Sequence, residues 1–218
     1  KAMILLGINC GFGNSDCGTL PLAALDLTGG WVNYHRPKTG IDHRCPLWPE
    51  TVKAIKAALA KRPTPKSDDA EATVFVTKYG ASWAGSAVHN PVSREFGKLA
   101  KEQDVARTFY DLRHTFRTVA DECRDQPAVN SIMGHADASM AATYRERIAD
   151  DRLRAASDHV RRWLYPEVVA KEKAEREAAE ADAEPRKAAS RQAKSGARGK
   201  AQPTAESTTG GFALRIVG

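Results

Sequence analysis

"YDLRHTF" (residues 110–116) and, further along, "MGHADASMAATY" (residues 133–144) are the stretches on which the reading of the fold turns. Taken one at a time their polar residues say little. Arg113 would serve equally well in a surface ion pair, His135 after a glycine could cap a helix, and Tyr144 by itself reads as a packing or surface tyrosine. Taken together they set a cation, an imidazole and a phenol in fixed order, with Tyr144 nine residues after His135.

Outward from these boxes, the pattern is helical from "NPVSREFGKLAKEQ" (residues 90–103) to "HVRRWLYP" (residues 159–166), with breaks near "CRDQPAVN" and "GHADAS". Upstream, "WVNYH" (residues 31–35) and "HRCPL" (residues 43–47) flank the turn "PKTG" and predict a β-hairpin that carries Lys38 at its tip. "PETVKAIKAALAKR" then predicts an amphipathic helix with proline near its start. "MILLGINC" and "DCGTLPLAALDL" read as helical or buried segments joined by the glycine-rich "GFGN". "RPTPKSDDAEAT" reads as a polar loop, and "VFVT" as a candidate third strand. The fold class expected is mainly α with a small antiparallel β-sheet, an α+β domain.

Composition bounds the partners. The 218 residues carry a formal charge of +6, with a pI near 9.2, which favours a polyanion, nucleic acid first. The four cysteines lack CxxC pairing or zinc-type spacing, so free thiols in a reducing compartment are expected, and neither metal nor cofactor. The apolar run "AMILLGI" is too short for a membrane span and lacks a cleavage pattern, so a soluble, cytoplasmic protein is expected. Because the chain opens on lysine directly before that run, an N-terminal partner domain is expected to precede it. Residues 1–166 read as the folded domain. Residues 167–185 form an Ala/Glu-rich segment, helical or solvated, and residues 186–218 a basic, low-complexity disordered tail suited to salt-dependent DNA contact.

The boxes resemble those of the tyrosine recombinases, the phage-type integrases, whose members commonly carry H-x-L-R-H-T-F, then L-G-H, then a tyrosine. "RPKTGIDHRCPL" resembles the family's lysine-bearing hairpin. The resemblance covers roughly residues 3–165 and stops short of the tail. It implies the family's catalytic domain, acting as a homotetramer on paired double-stranded DNA recombination sites of a mobile element, with the segment after Tyr144 exchanged between neighbours. It also implies roles: Tyr144 as nucleophile, Arg113 and His135 as phosphate-binding donors, and Lys38 as the acid for the leaving 5′ oxygen. The chemistry suits those residue types. A phenol forms a phosphotyrosyl ester that a DNA hydroxyl can later attack. A guanidinium stays charged and grips two phosphoryl oxygens at once, and cationic donors stabilise the charge that spreads over them.

Two departures stand out. Gly13 falls where the family's first arginine is expected, and Tyr110 where it most often has histidine. Tyr110 can hydrogen-bond a phosphate oxygen but cannot act as a cation near neutral pH. Arg36, Arg44 or Arg117 is a candidate substitute for the missing arginine, as are the backbone amides of "GFGNSD". His114 is expected to point inward as a hydrogen-bonding residue. The rival readings are a DNA-binding regulator with an impaired site and a type IB topoisomerase-like enzyme.

Overall fold

The computed structural model describes residues 1–36, 40–85, 89–135 and 147–181. Its centre is α1 (Ala2–Cys10), apolar on nearly every face and buried along most of its length. Gly11 ends it in the left-handed region at φ 61°, a conformation glycine adopts without Cβ strain. The helices α3 (Pro49–Ala60), α6 (Tyr110–Asp121) and α8 (Asp150–Leu164) pack around α1. Between them in sequence lie α4 (Asp68–Ala72), α5 (Pro91–Glu102) and α7 (Gln126–Met133). The short α2 (Asn14–Thr19) follows α1 directly.

Each long helix presents one apolar stripe. On α8 the buried positions are Leu153, Ala156, Ser157, Val160 and Arg161, the three-and-four spacing of a single face. A polar network locks that face to the centre. Asn9 donates through Nδ2 to the Pro46 carbonyl at 3.0 Å and to Ser157 Oγ at 3.1 Å, and accepts from the Trp48 amide at 2.9 Å. Trp48 Nε1 donates to the same Ser157 Oγ at 2.9 Å. Thus α1, the end of the hairpin and α8 share one buried set of satisfied groups. Arg161 adds a two-pronged pair with Glu50, at 3.1 and 2.8 Å.

The sheet is three-stranded and antiparallel in the order β1 (Leu25–Asp26), β2 (Trp31–Arg36), β3 (Ile41–Pro46). Its register pairs Val32 with Cys45 and Tyr34 with His43, all four on the buried face. The hairpin predicted from the sequence is present. The third strand is not "VFVT": that stretch contributes only an isolated bridge, Val76 to Ser82. Instead Leu25–Asp26 pairs with Trp31–Val32 across a tight turn. There the Asp26 carboxylate accepts from the Thr28 and Gly29 amides at 3.1 and 2.7 Å, and Gly30 takes φ 71°. "RPTPKSDDAEAT" is not wholly loop, because Ser67 caps α4 by accepting from the Ala70 amide at 3.3 Å.

The segment after Tyr144, expected to be exchanged between neighbours, packs on its own unit from Asp150 to Leu164. Leu153 and Val160 are buried there against the core. Contacts divide the chain into Lys1–Pro166 and Glu167–Gly218. Residues 166–181 are helical and largely exposed, with i,i+4 pairs such as Lys173–Glu177 at 3.7 Å. All four cysteines are free thiols, and burial pushes those of Cys10 and Cys17 well up. Among the described residues no helix is long and apolar enough to cross a membrane, and no group of side chains has the makings of a metal site.

Candidate active site

The site is built at the start of α6. Asp111 accepts from the Thr108 amide at 2.6 Å and its hydroxyl at 3.0 Å, which fixes the first turn. These bonds hold the Asp111 carboxyl below its ordinary range. With the helix so anchored, Arg113, Phe116 and Ala120 face inward along one stripe.

Arg113 is 3% exposed, an unusual position for a guanidinium. Nη1 donates to the carbonyl of Gly11, which the left-handed turn after α1 aims at it. Nη2 donates to the Met133 carbonyl at 2.9 Å, one of the last carbonyls of α7 that lack a partner within the helix. Nη2 also contacts His135 Nε2 at 2.7 Å. A guanidinium can only donate, so Nε2 accepts and the proton of the neutral ring sits on Nδ1. Residues that lie far apart in sequence are thereby brought to one point. The turn that carries His135 is set by Gly134, at φ 59°, where a Cβ would lie 2.2 Å from His43 Nε2. His43 is fully buried on β3, edge-on to Phe12 with centroids 5.3 Å apart. The hairpin therefore presses directly under the His135 turn.

Gly13 and Tyr110, the two departures, are neighbours. A Cβ on Gly13 would meet the Tyr110 ring at 3.7 Å and Asp16 Oδ2 at 3.3 Å. Asp16 is 3% exposed and accepts from the Gly13 amide at 2.8 Å, so that amide is not available to a phosphate as "GFGNSD" suggested. Tyr110 is half-exposed, its ring edge-on to His114 at 5.0 Å. His114 does not point inward. It is exposed, one residue off the buried stripe.

Two of the candidate substitute cations are occupied elsewhere. Arg44 donates to both carboxylate oxygens of Asp150, at 2.9 and 2.6 Å, and stacks on Trp31 at 4.1 Å. Asp150 raises the Arg44 pKa, and Arg44 lowers that of Asp150. Arg117 pairs with Asp121 on its own helix at 3.0 Å and donates across to Asn130 on α7 at 2.6 Å. Lys38 and Tyr144 lie outside the described residues, as does the Arg36 side chain.

Sequence reasoning missed His43 and gave Asp16 no role. Strand alternation carried the signal for the first, since it sets His43 opposite Tyr34 on the inner face. The acid three residues after Gly13, at capping-box spacing, carried it for the second.

Comparison with known proteins bears on this arrangement. The sequence model described as the phage integrase family matches residues 1–150. Among solved structures, the Tn1549 transposon integrase in complex with a circular intermediate DNA is 21% identical with a TM-score of 0.52. The match covers 72% of this chain and 57% of that one. XerA recombinase is 22% identical with a TM-score of 0.51, covering 70% and 54%. The integrase from mycobacterium phage Brujita is 19% identical with a TM-score of 0.50, covering 73% and 50%. The chain thus spans little more than half the length of these structures, and at such identity the likeness is one of fold. No curated protein matches the sequence.

Proposed function

The chain belongs to the phage integrase family, and from that premise we propose that it breaks and rejoins DNA strands at specific sites through a covalent 3′-phosphotyrosyl intermediate. The observation that carries the reading is the buried guanidinium of Arg113, held by two backbone carbonyls with His135 Nε2 at 2.7 Å. A guanidinium so fixed by the two carbonyls stays in place when negative charge grows on a phosphoryl group, with only the His135 contact to be exchanged, which is how preorganised donors accelerate such steps.

In this mechanism the oxygen of Tyr144 attacks phosphorus as its phenolic proton passes to solvent, the bond to the 5′ oxygen breaks, and Lys38 supplies that oxygen's proton. Reversal by a hydroxyl of a partner strand restores the phosphodiester and frees the phenol. A non-bridging oxygen takes the place of His135 on Arg113, and the released imidazole, once Nε2 has taken up a proton from solvent, donates to the same phosphate. The Tyr110 phenol, at the mouth of the site, offers a further donor. DNA sites are the partner proposed, with a homotetramer as the assembly. Residues 1–166 would be its catalytic domain, residues 167–185 a solvated helix and residues 186–218 a basic disordered tail.

The test is a nicked DNA carrying the protein's own recombination site. The intact protein should trap a covalent complex that is lost in Tyr144→Phe. If it traps nothing, the strand-cleavage reading fails.

One observation favours a second reading, a DNA-binding regulator with an impaired site. Gly13 has no side chain, its amide is taken by Asp16, and Arg44 and Arg117 are tied into other contacts. A single described clamp on the phosphate predicts slow cleavage, and binding of the site without trapping would select this reading.

A further inference from the structure

Where β2 begins and β3 ends, beside Trp31 and Pro46, lies a groove of about 520 Å³. That volume is within the range of ordinary ligand sites, about 300–1,000 Å³. Its walls come from the β1–β2 turn, the end of β3, the first turns of α3 and one face of α8. None of the residues that hold Arg113 lines it. Its character divides sharply. The floor is apolar, with Leu27 and Val52 half-buried and Leu47 buried beneath them. The rim is cationic.

Lys53 and Lys56 stand one turn apart on the outer face of α3, both exposed, while Thr51, Ala54 and Ile55 hold that helix to the core. Arg154 lines the groove from α8, its guanidinium held 4.6 Å from the centre of the Trp31 ring. The single acid of the lining, Asp158, follows Arg154 by four residues on the same helix.

We propose that this groove is a docking site for an acidic segment of a partner protein, one that places an aliphatic side chain on the floor and carboxylates against Lys53, Lys56 and Arg154. Charge complementarity with Lys53, Lys56 and Arg154 selects an anionic occupant. The floor selects peptide over duplex. A phosphodiester backbone would satisfy the rim but has no apolar group with which to cover Leu27, Leu47 and Val52, whereas an acidic segment bearing leucine satisfies both. Most of the affinity would come from the desolvated centre, and most of the speed and salt dependence from the rim. The proposal does not depend on strand cleavage.

Fluorescence anisotropy of the full chain with two fluorescein-labelled peptides tests it. One repeats glutamate and leucine, the other glutamate and glycine at equal length. The leucine peptide should bind more tightly, by about tenfold for a single seated side chain. The pair Lys53→Glu and Lys56→Glu should abolish that binding. If the pair fails to fold, Lys53→Gln with Lys56→Gln should still weaken it severalfold. Equal binding of the two peptides overturns the proposal, as does binding indifferent to the lysines. So does a random-sequence duplex that displaces the peptide and itself loses affinity in the same variants, which would assign the groove to DNA.

Discussion

Arg113 Nη2 and His135 Nε2 are 2.7 Å apart, and the guanidinium is the donor. In this state each residue fills a hydrogen-bonding position of the other. Lysine at 113 would keep the charge but lose the fork that spans the Gly11 and Met133 carbonyls. Arg113→Lys should lower trapping of the covalent complex by about a hundredfold or more and also lower the thermal midpoint. Tyr144→Phe should abolish trapping and leave that midpoint in place. Single-turnover trapping and differential scanning calorimetry separate the two effects.

Gly13→Arg tests whether the site lacks a clamp. The nearest atoms to a Cβ there are Asp16 Oδ2 at 3.3 Å and the Tyr110 ring at 3.7 Å, so a side chain would leave beside a carboxylate and an aromatic ring. If the impairment lies at Gly13, the variant should trap covalent complex faster than the parent, on the order of a hundredfold. An unchanged or slower rate would place the second donor elsewhere.

Arg113 and His135 are legible in the boxes, and the structure brings the two together, while Lys38 and Tyr144 lie outside the described residues. The hairpin strands are legible from alternation around "PKTG". What escaped depends on distance in space. Nothing local marks Gly13 and Tyr110 as neighbours, because α1 and α6 must pack first. Arg44 and Arg117 looked available because sequence gives a charge and not its partner. "VFVT" had strand composition, but its chain runs beside Leu20 rather than along the sheet, with Val74 donating to the Leu20 carbonyl at 2.8 Å. His114 is expected inward as a hydrogen-bonding residue, but helical phase decides the matter and leaves it exposed.

Gly134→Ala should destabilise strongly. It forces a Cβ to 2.2 Å from His43 Nε2 at a φ of 59°, a combined clash and backbone strain on the order of 3 kcal/mol. His43→Ala in the same chain should recover part of the loss, and a urea-denaturation double-mutant cycle measures the coupling.

Asn9→Ala removes the centre of the network among α1, β3 and α8, leaving the Trp48 amide buried without its acceptor. A cost of about 2–3 kcal/mol is expected for that loss. The urea midpoint should fall while the slope of the transition stays unchanged.

Acid should weaken the start of α6. The Thr108 amide and hydroxyl lower the Asp111 pKa from its ordinary 3.8. A lowered carboxylate pKa means stability that is full above the unfolded value and lost as pH falls through the folded one. The thermal midpoint of the parent should therefore drop below about pH 4 by more than that of Asp111→Asn. Equal drops in the two proteins would show that the turn is held by other bonds.

The contact of His43 with Gly134 also predicts a pattern across relatives. With an imidazole wedged against a bare backbone, neither position is at liberty to drift alone. In an alignment the two columns should covary, glycine persisting wherever a ring occupies the strand position and bulk entering the turn only after the strand residue has shrunk. The path of substitution open to this hairpin thus runs through the turn that presents His135, and a graft of either piece into another scaffold must bring its counterpart along.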